Sequence, residues 1–420
     1  MSHYVGADNK YFLPASRDSI PESFCSNKNP KPIPCSVQCV NLPALTGNAN
    51  ANGTSIIQIP CGSSAGIMCN PYLRFTLTTT NVINAAAQTQ AFKGSVGSCT
   101  ALFNRLSTYV NSTQIDNIQN ADQVYDLLLA HSSSNDWLTH DAQIELGAGV
   151  STVIPILAAA TDNSKTYCVP LIGLFGSNQS FPLYLVNGTV QVQIDYNSIG
   201  RAYYMAGAGP LAPSNYTVSS VQLVYDRVQP EQAFIDSVRQ SMMQSGSKFV
   251  YGYTNYQNST LNTSAGQQTL NYGLNVSSLR ALVSNQILTA DLSAFGSQGL
   301  SLNNGLSQYI VSLDGRLVNN NVLDSANATA VVFAELNKCF GRLFDATISD
   351  SSTAANYLTT NFAVGVSCQR TNENLAFSGS PVSIVGLQAT TTAAAYTLYN
   401  TFISDYQLLI DISGSCEIIR

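Results

Sequence analysis

The sequence predicts an all-β chain with inserted helices, folded as two β-sandwiches in tandem. Three observations predict it. Short segments alternate apolar and polar residues with a period of two. A helical pattern closed by Gly246 separates two such β-rich stretches. The 420 residues include 45% hydrophobic but only 10% charged side chains, against about 25% charged in a typical soluble domain. The polar surface therefore falls to Ser, Thr, Asn and Gln, which suit strands and turns. At roughly 100–200 residues per domain the length accommodates two. The expected division is an extended N-terminal arm over 1–50, a first sandwich over 51–245 and a second over 246–420.

Pro14, Pro21, Pro30, Pro32, Pro34 and Pro43 punctuate the arm, and no strand or helix period lasts there. Such a segment is either a loose terminus or a contact with a neighbouring subunit or membrane-side partner; the sequence leaves both open. Thr54–Pro60 is rich in β-branched residues. In Tyr72–Thr80, Leu73, Phe75 and Leu77 alternate with Arg74, Thr76 and Thr78. Val190, Val192, Ile194 and Tyr196 alternate likewise, with Asn187-Gly188 before them reading as a hairpin turn. Val221, Leu223 and Tyr225 make a further strand. Leu102–Leu106 and Val124–Ala130 read as helical around a polar loop from Asn111 to Asn120, with Asn120 as an N-cap. A third helix starts at Pro230 and repeats Phe234, Val238 and Met242 before Gly246.

The β pattern then restarts in Lys248–Tyr256, Leu270–Val276 and Gln308–Leu313. A helix is expected from about Asn327 to Phe344, with Val332, Phe333, Leu336, Cys339, Phe340 and Leu343 on one face. A long last strand presents Tyr406, Leu408, Ile410 and Ile412 on one side. No residue-level repeat is present; the halves agree in plan, not in letters. Many short strands with turn clusters point to sandwiches, and two packed Greek-key sheets are the jelly-roll way of closing edges.

Composition excludes several functions. A net charge of −6 without a Lys/Arg run is unsuited to binding nucleic acid through phosphates. The most apolar run, Ala148 to Ala160, is interrupted by Pro155 and falls short of the ~18 residues that span a bilayer, so a soluble chain is expected. The ten cysteines (Cys25, Cys35, Cys39, Cys61, Cys69, Cys99, Cys168, Cys339, Cys368 and Cys416) follow no signal peptide. They read as reduced, mostly buried thiols, with late disulfides open among Cys25, Cys35 and Cys39.

Motif by motif, the chemistry thins out. Gly62-Ser63-Ser64-Ala65-Gly66 matches the hydrolase G-x-S-x-G pattern, but a strand rather than a helix follows, so a turn is expected. His3, His131 and His140-Asp141 match no zinc spacing and are assigned to surface or loop. Cys35 with Cys39, and Cys61 with Cys69, lack a second paired knuckle. Asn-x-Ser/Thr sequons at Asn52, Asn111, Asn187, Asn215, Asn258 and Asn327 arise by chance in so Asn- and Thr-rich a chain. No catalytic, cofactor-binding or metal-binding residue is expected, and no enzyme.

Four stretches resemble a known family. Tyr167–Leu185, with Pro170-Leu171 and Pro182-Leu183, resembles a segment of double jelly-roll capsid proteins in which two Pro-Leu pairs bracket an apolar stretch. Tyr216–Val228 looks like the last strand of their first jelly roll. Asn271–Leu282 resembles the place where a strand runs into a Ser-Leu-Arg turn of helix, and Ser404–Gly414 the closing strand. The lineage includes adenovirus hexon, virophages and nucleocytoplasmic large DNA viruses. The resemblance implies a major capsid protein of an icosahedral DNA virus, in the virion, assembled as homotrimeric pseudo-hexagonal capsomers. It also implies penton and minor capsid proteins as partners, and a membrane or membrane-associated protein beneath the shell. The alternative is a two-domain surface binding module, lectin- or adhesin-like. A carbohydrate-active sandwich needs convergent carboxylates and aromatic platforms, against which stands the single Trp137.

Overall fold

The computed structural model describes residues 4–5, 11–12, 35–80, 89–148, 163–176, 180–206, 215–318, 323–325, 327–341, 356–369, 379–391 and 395–420. In the first half eight principal strands follow one another, besides short pieces over Ala49–Asn50, Thr89–Phe92 and Tyr203–Ala206: β1 (Cys35–Pro43), β2 (Thr54–Pro60), β3 (Ile67–Thr80), β4 (Phe103–Val110), β5 (Thr113–Gln119), β6 (Asn163–Pro170), β7 (Thr189–Tyr196) and β8 (Asn215–Pro230). They pair antiparallel as two sheets, β1-β8-β3-β6 and β2-β7-β4-β5. Helix α1 (Ala121–Ser132) lies between the fifth and sixth strands.

The second half repeats this plan after α2 (Gln232–Ser245). Its strands are β9 (Phe249–Thr263), β10 (Gly266–Leu288), β11 (Gln308–Leu313), β12 (Arg316–Leu317), β13 (Ala363–Ser367), β14 (Ser380–Thr391) and β15 (Tyr396–Ile410), with β16 (Cys416–Ile419) folding back on β15. Hydrogen bonds join them into one branched eight-stranded sheet because β10 serves two layers. Its first part, to Leu279, pairs with β14, and its last, from Leu279, with β15 and β13. The register slips twice between Gly273 and Leu279, around Asn275 at φ +51°. With β10 counted as second and third strand, the layers β9-β15-β10-β13 and β10-β14-β11-β12 have the same order as in the first half. Helix α3 (Thr329–Cys339) again sits between fifth and sixth strands.

Alternation builds each core. On β3, Leu73, Phe75 and Leu77 are buried. Phe75 meets Phe103 of the facing sheet at 5.9 Å between ring centroids, and Phe103 meets Tyr196 at 6.2 Å. Fully burying each such side chain stabilises by about 1.5–3 kcal/mol. In the second box Tyr272 stacks on Phe402 at 4.9 Å. Buried Ser284 Oγ is 2.7 Å from Tyr309 Oη and donates to Asn400 Oδ1, so these three polar groups inside the core are paired with one another.

Several expectations are corrected. Residues 35–43 are not arm-like but form the edge strand β1 against β8. Leu102–Leu106 is not helical: a 3-10 turn ends at Leu102 and β4 begins at Phe103. The supposed loop Asn111–Asn120 is mostly β5. The β4–β5 hairpin turns at Asn111-Ser112, both at positive φ, the conformation that a tight hairpin demands. Asn187-Gly188 is no hairpin turn, since β7 pairs with the distant β2 and β4. Pro230 ends β8, and Glu231 is the N-cap of α2. Ser278-Leu279-Arg280 continues β10 as strand. The 327–344 helix is shorter, ending at Cys339, and Leu343 lies outside the described residues. Ile412 is exposed in the turn before β16, so β15 is not the last strand.

Candidate functional site

The two boxes meet along a polar seam. At one end β9 faces β5. Alternate residues of β9 reach across it: Tyr251 Oη donates to the Leu174 carbonyl at 3.2 Å and Tyr253 Oη to that of Ile115 at 3.2 Å. Asn255 Nδ2 donates to Asp116 Oδ1 at 2.5 Å, and farther on Asn258 Nδ2 donates to the Gln119 carbonyl at 2.5 Å. Asp116 is 3% exposed, and its Oδ2 accepts from Leu174 N at 3.0 Å. Burial pushes its carboxyl up to about 7, against the lowering by these hydrogen bonds. Beside it lies a polar cavity of about 250 Å³, lined by Gln114, Asp116, Asn117, Asn255, Tyr406 and Arg420 among others.

At the other end residues 93–98 dock on the second box. Lys93 Nζ donates to the carbonyls of Asp291 (2.5 Å) and Leu292 (3.3 Å), and Ser95 Oγ to that of Thr360 (2.5 Å). Ser301 N donates to Ser95 Oγ at 3.2 Å. Asp126 holds residues 95–96 by accepting both backbone N–H groups. Arg201 clamps Asp122 at the start of α1 through Nε (2.8 Å) and Nη2 (3.0 Å), reaches Asn120 Oδ1 at 2.8 Å, and lies over the Tyr399 ring of the second box. Asn120 thus takes a left-handed N-cap conformation and spends its side chain on Arg201 rather than on the helix. His131 of α1 stacks on Phe340 beyond α3, with ring centroids 6.3 Å apart.

The residues flagged by sequence do not converge. Gly62–Gly66 is a turn between β2 and β3, tied to the first box by Gly62 N donating to the Leu183 carbonyl. His131 is buried rather than on a surface or loop, because α1 packs into the first core. His140 is exposed at the start of a short helix over Asp141–Glu145. His3 and Cys25 lie outside the described residues, as does most of 148–160. The nine described cysteines are free thiols, of which only Cys99, Cys339 and Cys368 are buried and Cys35 and Cys39 are exposed; fewer are buried than expected. Trp137 is half-buried. Among the sequons, Asn258 is buried in the seam, Asn215 is half-buried, and Asn52, Asn111, Asn187 and Asn327 are exposed. Among the described residues no three His, Cys, Asp or Glu side chains gather as a metal site, and no helix is long and apolar enough to cross a membrane. The seam itself had no local signal: its members pair across 77 to 265 positions of chain.

This architecture is found among solved viral coat proteins. PBCV-1 VP54, whose crystal structure was fitted into a cryo-EM reconstruction of the virophage Sputnik, aligns with a TM-score of 0.61 at 12% identity. The alignment covers 94% of this chain and 99% of that one. The Faustovirus major capsid protein aligns with 0.62 at 9% identity over 92% of each. The mavirus major capsid protein aligns with 0.53 at 12% over 99% of this chain and 93% of that one. The chain therefore has the fold of the double jelly-roll major capsid proteins. No family model and no curated protein matches its sequence.

Proposed function

We propose that the protein is the major capsid protein of an icosahedral DNA virus, residing in the virion shell, and that three copies close into a pseudo-hexagonal capsomer. The observation that carries this reading is the repetition of one strand order in two boxes fixed side by side. Three such chains supply six similar units for a ring. The likeness to PBCV-1 and Faustovirus proteins over at least nine-tenths of both chains supports it. The low charge supports it too, because wide uncharged contacts are insensitive to salt. On this reading the contact arm is residues 1–34, β1 belongs to the first box, which runs to 245, and 246–420 is the second box. The partners are further capsomers, penton and minor capsid proteins and a membrane or membrane-associated layer beneath. The protein performs no catalysis and holds no genome directly.

Light scattering on the size-fractionated, full-length protein tests this. A particle of three times the 44.8 kDa subunit mass is expected at both low and high salt. A monomer under all conditions would refute the capsomer.

A further inference from the structure

The seam inside the chain has two halves, and each half has an exposed counterpart in the other box. One half is the face of β9, the first strand of the second box, on which Tyr251 and Tyr253 are 1% and 4% exposed. β9 pairs with β15 as β1, the first strand of the first box, pairs with β8. On β1, Val40 and Leu42 pack against the core. Period two therefore sets Val37, Cys39 and Asn41 on its outer face. All three are exposed, Val37 to 66%.

The other half is β5. It follows β4 through the two-residue turn Asn111-Ser112, at φ +49° and +68°. β12 follows β11 through the same kind of turn, Asp314-Gly315, at φ +48° and +79°. The pairs that close the two hairpins are Val110 with Thr113 and Leu313 with Arg316. Arg316, Leu317 and Val318 thus stand where Thr113, Gln114 and Ile115 stand in the first box. Ile115 is 3% exposed and its carbonyl accepts from the Tyr253 hydroxyl, and Gln114 lines the seam cavity. Leu317 is 63% exposed. Corresponding positions are buried where the other box adjoins them and exposed at the far sides of the two boxes.

We infer that the β12 end of one chain docks on the outer face of β1 in a second copy, repeating between chains the β5–β9 seam within each chain. The contact joins two different surfaces, and every copy has one of each. A head-to-tail contact of this kind closes into a ring or runs on as a filament. Closure at three copies is the capsomer, so the inference rests on that reading. Val37 and Leu317 gain by leaving water, whereas a charge at either place would be stranded in the contact.

The test alters each half separately in the full-length protein, as Val37→Glu and Leu317→Glu. Both positions are exposed in the subunit, so each variant should fold with the circular dichroism of the parent. In sedimentation velocity each variant alone should associate at least tenfold more weakly than the parent. An equimolar mixture of the two should associate again, as a pair, because one variant has an intact β12 end and the other an intact β1 face. Cys39, on the covered face, should alkylate severalfold more slowly in the parent than in either variant, though still ahead of the thiols in the two cores. A trimeric parent whose variants both stay trimeric, or a mixture that associates no better than either variant alone, would overturn this contact and leave the capsomer standing. A monomeric parent would overturn both.

Discussion

Gly173 lies against Asp116 so closely that a Cβ built on Gly173 would fall on the Asp116 carboxylate. The residue stands at φ +76°, a conformation that costs a side-chain-bearing residue about 1–3 kcal/mol even without a collision. Its glycine is therefore what lets the 173–175 turn present the Leu174 amide to Asp116 and the Leu174 carbonyl to Tyr251. Gly173→Ala is expected to destabilise by upwards of about 2 kcal/mol. Thermal unfolding measures this, and a variant as stable as the parent would show that the turn relaxes freely.

Arg201 and Asp122 form a buried ion pair whose side chains are 23% and 4% exposed. Removing one partner of such a pair costs about 3–5 kcal/mol, because the other charge stays buried, whereas replacing both with apolar groups is often near neutral. Arg201→Met is expected to fall in that range, and Arg201→Met with Asp122→Leu to recover most of the loss. Denaturant midpoints of the two variants check it, and an equal loss in both would contradict it.

Lys93 carries a pH signature. Burial holds its amine down to about 8 from the ordinary 10.5, with Arg201 adding to the effect and Asp291 opposing it. The folded chain then binds fewer protons than the unfolded chain between these values, so this group's contribution to stability rises as pH climbs from about 8 to 10.5. Relative to Lys93→Gln, the parent should gain in unfolding temperature over that window. A pH-independent difference between the two would contradict the placement of Lys93 in the seam.

Thiol reactivity should sort by depth. Cys35 and Cys39 are exposed on β1, whereas burial drives the Cys99 and Cys339 thiols far up and that of Cys368 to about 12. The thiolate is the reactive form. Under native conditions Cys35 and Cys39 should alkylate first, and Cys99, Cys339 and Cys368 only on unfolding. Peptide mapping by mass spectrometry reads the order; early labelling of Cys99 would contradict the packing of the first box.

What the sequence revealed follows from what is local. Leu73, Phe75 and Leu77 point inward because one face of β3 is buried, and period two records that directly. The end of α2 was legible because Gly246 takes the left-handed C-cap at φ +63°. β4 was misread because Leu102 and Leu106 have helical spacing, while its strand conformation comes from pairing with β7, as of Leu106 with Ile194, which overrides local preference. The bend that lets β10 serve two sheets falls at Asn275, with neither Pro nor a turn cluster to announce it. The seam was illegible for the same reason: Asp116 and Asn255 are unremarkable until the fold brings them to 2.5 Å.

The most direct measurement is a cryo-EM reconstruction of the purified protein or of particles assembled from it. Six upright β-boxes in a ring, contributed by three chains with the β5–β9 seam inside each chain, are the predicted result. A monomer, or a ring whose neighbouring boxes pair β5 of one chain with β9 of another, would contradict the account.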